Sequence, residues 1–210
     1  MTKDTTQQKI ALPDIAVDDG ELSPLPHFQN PWLRVTSRPI YKNPWFSVRE
    51  DEVIRPDGNS GTYSVVEPKI ATGVVALDDE HYVYLVGQYR YPIDVYSWEI
   101  IEGGAELGES GLSAAQRELK EEAGISAASW EALGPSFYLS NCFTSERAEV
   151  FLARNLTVGE ACPDGDELLK TIRIPFAEAL ARVARGEISD AVSIIALQRA
   201  KHFLDAAARS

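Results

Sequence analysis

Three glutamates crowd into six residues of this chain, in the run Arg117-Glu118-Leu119-Lys120-Glu121-Glu122. On a helix advancing about 100° per residue, Glu118, Glu121 and Glu122 share an arc of about 100°. Beside it Leu112, Ala115, Leu119 and Ala123 form an apolar stripe about 80° wide. The stripe is expected to face the core, and the carboxylates to converge on one point at its margin. Like charges at i,i+3 and i,i+4 cost an isolated helix about 0.2–0.5 kcal/mol per pair, a liability that a hard divalent cation removes. Oxygen donors without a neighbouring histidine or cysteine suit magnesium, with manganese as a substitute, better than zinc or copper. A solvated acidic helix face is the competing reading of these residues taken alone.

Such a cluster needs a helix with defined ends and a loop that brings the backbone close. Ser110 is placed to cap a helix running from about 110 to 123, and Gly124 to end it in the left-handed conformation. Ahead of it, Glu102, Gly103 and Gly104 allow a tight turn at the end of a strand, with carbonyl oxygens close to a ligand. The runs ATGVVALDD, HYVYLVGQYR and SWEIIEGG before the helix read as strands. SFYLS, AEVFLARNL and KTIRIPF read as strands after it, followed by helices in FAEALARVARG and from Ser189 to Ala208. Nearer the start, LRVTSRPIY, WFSVREDEVI and TYSVVE form a small antiparallel sheet, with PDGNSG as a turn. The expected organisation is a tail over 1–28, a small β subdomain over 29–67 and a catalytic domain over 68–210. The class is α/β, with helices flanking a mixed sheet.

Composition narrows the partners. The 210 residues carry 32 acidic and 20 basic side chains, a formal net charge of −12, which argues against a nucleic-acid polymer or an anionic membrane. A small anionic ligand would need local positive charge from a few arginines or a bound cation. No apolar run approaches the roughly 18 residues of a membrane span, and the start lacks a secretory pattern, so a cytoplasmic protein is expected. Cys142 and Cys162 form no CxxC pair, so neither a zinc site nor a disulfide framework is expected.

Gly103, five residues, Glu109, seven residues, then Arg117-Glu118-Leu119-Lys120-Glu121-Glu122-Ala123-Gly124-Ile125 match every fixed position of the Nudix box, Gly-x5-Glu-x7-Arg-Glu-U-x-Glu-Glu-x-Gly-U, where U is bulky and aliphatic. On that match the chain is identified as resembling a Nudix hydrolase. The resemblance implies a Nudix-type mixed-sheet sandwich in which Glu118, Glu121 and Glu122 hold the metal or its bound water, and the Glu102 carbonyl is a further ligand. It implies that Arg117 orients a carboxylate, that Gly103 shapes the loop, and that Glu109 stabilises the loop–helix unit or joins the metal cluster.

Over roughly 37–205 the likeness extends to the ADP-ribose pyrophosphatase branch, through IYKNPWFSVREDEVIRPDG, GVVALDD, LVGQYRYP and SWEIIEGGAELGES. The implied substrate is a nucleoside diphosphate sugar, ADP-ribose first, with GDP-mannose and UDP-glucose as alternatives. The branch's Ser-Pro-Gly-like loop is replaced here by Ser140-Asn141-Cys142-Phe143, which weakens the assignment to ADP-ribose itself. An allylic diphosphate isomerase using Cys142 and a non-hydrolytic ligand sensor are the readings from other classes, and the complete box argues against both. Arg90 is a candidate phosphate ligand, or else pairs with an acid; Glu99 and Trp45 are further candidates for substrate contact. Trp45, Trp98, Tyr89, Tyr91 and Tyr96 could stack on a base, but core positions are expected for them. Glu146, in the loop NCFTSER, is the candidate base, with Glu149 the alternative if the register shifts. The branch commonly dimerises through its small sheet, so a homodimer with Tyr41, Trp45 and Phe46 at the contact is expected.

Overall fold

The computed structural model describes residues 30–161 and 168–209. The tail expected over 1–28 and Cys162 lie outside the described residues. The chain divides into two compact units, one ending at Glu67 and the other beginning at Pro68.

In the first unit, β1 (Leu33–Lys42), β2 (Phe46–Ile54) and β3 (Ser60–Pro68) form a sheet in that order. The β1–β2 turn is set by Asn43, whose Oδ1 accepts from the backbone N–H of Trp45 and Phe46 at 2.9 and 2.8 Å. Within this unit β1 is exposed along its length and carries Leu33, Val35, Ile40 and Tyr41 uncovered.

The second unit holds two sheets. In the mixed sheet, β4 (Ala71–Ala76) pairs with β7 (Ile101–Gly104) on one side and β10 (Arg147–Val158) on the other, antiparallel and parallel respectively. β8 (Ile125–Ala132) and the two-residue β9 (Phe137–Tyr138) follow one another along the outer edge of β10. The second sheet, antiparallel, has β5 (Tyr82–Arg90) between β11 (Lys170–Pro175) and β6 (Val95–Glu99).

Alternation along the strands sends side chains to two cores. Val74, Ala76, Ile101, Phe151 and Ala153 pack with Ala115, Leu119 and Ala123 of α1 (Gly111–Ala123). Val75, Leu77, Ile100, Val150 and Leu152 pack with Phe176 and Ala179 of α2 (Phe176–Arg185), and with Val192, Ala196 and Leu197 of α3 (Ala191–Ala207). Among the described residues no helix is long and apolar enough to cross a membrane.

Three particulars depart from expectation. β8 reads ISAASWEA, alanine- and serine-rich with one β-branched residue, so its strand state comes from pairing with β10 rather than from local propensity. Leu112 is 37% exposed because the inward position of the first turn of α1 is taken by Gly111, which lies under Glu149. The aromatics expected in the core are largely outside it: Trp45, Tyr89, Tyr91 and Tyr96 are exposed, while Trp98 packs partly against the α3-side core. For the tyrosines the reason is that β6 is an edge strand and the β5–β6 hairpin extends past the core.

The burial difference along α1 is measurable. Leu119→Ala should lose about 2–4 kcal/mol of stability. Leu112→Ala should stay within about 0.5 kcal/mol of the parent, both read from urea unfolding.

Candidate active site

The helix carrying the glutamates begins and ends where its capping residues place it. Ser110 Oγ accepts from Ser113 N at 3.1 Å, and Gly124, at φ 66°, returns its N–H to the carbonyls of Leu119 and Lys120. Between those caps Glu118 and Glu122 lie one turn apart and both are withdrawn from solvent, Glu122 to 4% exposure; Glu121 is more open.

Gly103 forms the seat of Glu118. A Cβ on Gly103 would stand 2.0 Å from Glu118 Cδ and 2.1 Å from its Oε1, so a side chain at 103 would force the Glu118 carboxylate to another position. The glycine is what lets the carboxylate lie against the strand backbone.

Arg117 locks the loop to the helix. Its Nε and Nη2 donate to Glu109 at 3.2 and 3.1 Å, Nη2 also to the Gly104 carbonyl at 3.1 Å, and Nη1 to Glu118 and Glu121 at 2.7 and 2.9 Å. Glu109 Oε2 in turn accepts from the Glu106 backbone at 2.8 Å. Hydrogen bonds from Arg117 and then Glu106 hold the Glu109 carboxyl below its usual range. In this structure Glu109 is spent on the loop and Arg117 is the orienting cation.

The donor chemistry fits a hard divalent cation, since Glu118, Glu121, Glu122 and the loop carbonyls are all oxygen ligands. Among the described residues no three acidic, histidine or cysteine side chains are gathered into a ready centre, and Arg117 Nη1 stands between Glu118 and Glu121. Glu118 and Glu122, one turn apart, are both withdrawn from solvent.

A second group of polar side chains lies on the α3 side of the sheet. The Glu102 side chain turns there, away from the box helix, and its Oε1 accepts from Ser193 Oγ at 2.8 Å. Only its backbone carbonyl thus remains on offer to the metal cluster. Burial first, then the charge of Asp190, pushes the Glu102 carboxyl well above its usual range. Arg90 donates Nε at 3.0 and 3.1 Å to both oxygens of the buried Glu99, and Nη2 to the same carboxylate. The candidate phosphate ligand is thus paired with an acid, which leaves the Nη1 side of its guanidinium for another anion.

Glu146 is half-buried just before β10; burial and then Asp190 raise its pKa. Glu149 lies on the opposite, α1-facing side of β10, with Oε2 2.1 Å from where a Cβ on Gly111 would be. Arg90, Glu99, Glu102 and Glu146 therefore share one electrostatic neighbourhood with Asp190 and Ser193, two residues the sequence reading did not single out. Asp190 had a legible signal as the N-cap of α3, where its Oδ2 accepts from Ser193 N at 2.7 Å; Ser193 had none. Trp45 belongs to the first unit, exposed in the β1–β2 turn.

Residues 32–66 match the nucleoside diphosphate sugar hydrolase N-terminal domain, and residues 67–200 match the NUDIX domain. The chain is 34% identical over 163 residues to an ADP-ribose pyrophosphatase of Mycobacterium tuberculosis, covering 76% of this chain and 78% of the relative. It is 31% identical over 166 residues to an ADP-ribose pyrophosphatase of Bacillus subtilis, covering 78% and 89%. A crystal structure of an ADP compounds hydrolase superposes with a TM-score of 0.73 at 21% identity, over 85% of this chain and 97% of that one, which shows the shared fold. With the box seated on its glycine, and a domain match spanning most of its length, the chain belongs to the Nudix family of hydrolases.

Proposed function

We propose that this protein hydrolyses the diphosphate linkage of a nucleoside diphosphate sugar, ADP-ribose to AMP and ribose 5-phosphate being the first candidate. The observation that carries this reading is the seating of Glu118 on Gly103 under the Arg117 clamp, which fixes a carboxylate pair beside a strand end. The two ADP-ribose pyrophosphatases among its relatives supply the substrate class.

A divalent cation, taken to be magnesium with manganese as a substitute, would neutralise charge on the diphosphate oxygens when held by Glu118 and Glu122. Arg117 keeps Glu118 and its neighbour Glu121 oriented. Arg90, fixed by Glu99, presents its remaining guanidinium edge to a substrate phosphate, which supplies the local positive charge that the acidic chain otherwise lacks. Glu146 takes the proton of the attacking water; its raised pKa makes it a stronger base than an ordinary carboxylate. Glu149, whose side chain lies beside Gly111 on the α1 side of β10, is the alternative base. Asn141, where the branch carries a proline, leaves GDP-mannose and UDP-glucose as the second choice of substrate.

Activity should vanish with a chelator and return with magnesium or manganese, yielding a nucleoside monophosphate and a sugar phosphate. Glu122→Gln should lose at least roughly 10²-fold in rate with a much smaller loss of substrate affinity. Cleavage confined to nucleoside triphosphates or dinucleoside polyphosphates would overturn the substrate class.

Glu146→Gln should lower kcat by roughly 10²-fold with KM nearly unchanged. A normal Glu146→Gln beside a dead Glu149→Gln would move the base three residues on.

The exposed apolar β1, with Tyr41, Trp45 and Phe46 around its turn, supports a homodimer formed through the small sheet. Light scattering at micromolar concentration should give twice the chain mass; a monomer would refute it.

A further inference from the structure

The chain crosses from one sheet to the other at Ile100. β6 ends at Glu99, paired with Val86, and β7 begins at Ile101, paired with Val74. Ile100 between them is fully buried, and its N–H lies outside both ladders. A buried N–H cannot be left without an acceptor at no cost. The acceptor comes from a residue 93 positions on: Ser193 Oγ, at 3.0 Å.

The same hydroxyl donates to Glu102 Oε1 at 2.8 Å, so both bonding directions of one fully buried serine are spent on the strand that ends in the box loop. Ser193 is itself held, because its N–H is capped by Asp190 at 2.7 Å. The first turn of α3 is also pressed onto the sheet: a Cβ on Gly73 would stand 2.9 Å from Ile100 Cδ1 and 3.0 Å from Val192 Cγ1.

From this we infer that Ser193 is a positioning residue for catalysis: by gripping Ile100 and Glu102 it fixes where Gly103 lies, and so where Glu118 is seated. The inference rests on the Nudix site proposed above. It follows from proximity, since the Glu118 carboxylate lies directly against Gly103 where a Cβ would be, and misplacement of reacting groups by about 1 Å costs on the order of 10²-fold in rate. The hydroxyl acts at a distance, through Ile100 at the sheet crossing and Glu102 of β7.

The test compares Ser193→Ala and Ser193→Cys with the parent in Mn2+ binding by electron paramagnetic resonance, in steady-state kinetics, and in melting temperature. Ser193→Ala should weaken Mn2+ affinity roughly 5-fold and lower kcat roughly 10-fold with KM within about two-fold, and Ser193→Cys should fall between. In a Glu118→Gln background the serine substitution should add little further loss, because both act through one seat. Parent-like Mn2+ affinity and kcat with only a lower melting temperature would reduce Ser193 to a packing role, as would full multiplication of the two losses. Should Ser193→Ala fail to fold, Ser193→Cys carries the same comparison. The Mn2+ measurement needs no substrate, so it decides this inference even if the substrate assignment falls.

Discussion

The contact between Gly103 and the Glu118 carboxylate is the constraint around which the catalytic unit is built. A strand backbone and a helix side chain approach so closely that a Cβ on Gly103 would displace the carboxylate. Everything nearby serves to hold that approach. Leu119 and Ala115 bury α1 on the sheet, the caps at Ser110 and Gly124 fix its ends, and Arg117 ties Glu109, Gly104, Glu118 and Glu121 into one charged network. Loop and helix therefore behave as one rigid piece rather than two.

Electrostatics divides the unit across its mixed sheet. On the α1 side the Arg117 guanidinium bonds Glu109, Glu118 and Glu121. On the α3 side Glu102 and Asp190 meet in a buried setting where burial and mutual charge lift the Glu102 pKa. Glu146 lies within reach of the same field. One arginine stands on each side of the sheet, Arg117 bonded to Glu109, Glu118 and Glu121, and Arg90 bonded to Glu99.

How much of this could be read in the residues depended on whether the controlling interaction was local. The box helix was legible to its ends because capping, charge clustering and apolar spacing all sit within a few turns of one another. The β strands with β-branched runs were legible for the same reason. β8 was not, because its strand state is imposed by β10. Leu112 was misplaced because which residues of the first helical turn the sheet covers depends on tertiary packing: Gly111 is buried beside Glu149, 38 residues away in sequence, and Leu112 is left exposed. The pairing of Arg90 with an acid was foreseen as an option, but the identity of Glu99 required the hairpin register. Ser193 carries no pattern at all, since its importance comes from an unpaired N–H at a sheet crossing. The exposed hairpin tyrosines show the same limit, for an aromatic strand is not known to be at an edge until its neighbours are placed.

The most direct test of the central claim is the Mn2+ affinity of Gly103→Ala, with circular dichroism as a check that the fold survives. A Cβ at that position must displace Glu118 from its seat, so divalent-cation binding should weaken by at least roughly 10-fold, with hydrolysis falling in parallel and helix content unchanged. If Gly103→Ala binds Mn2+ as tightly as the parent and turns over normally, the seat is not what positions the site, and the account built on it is wrong.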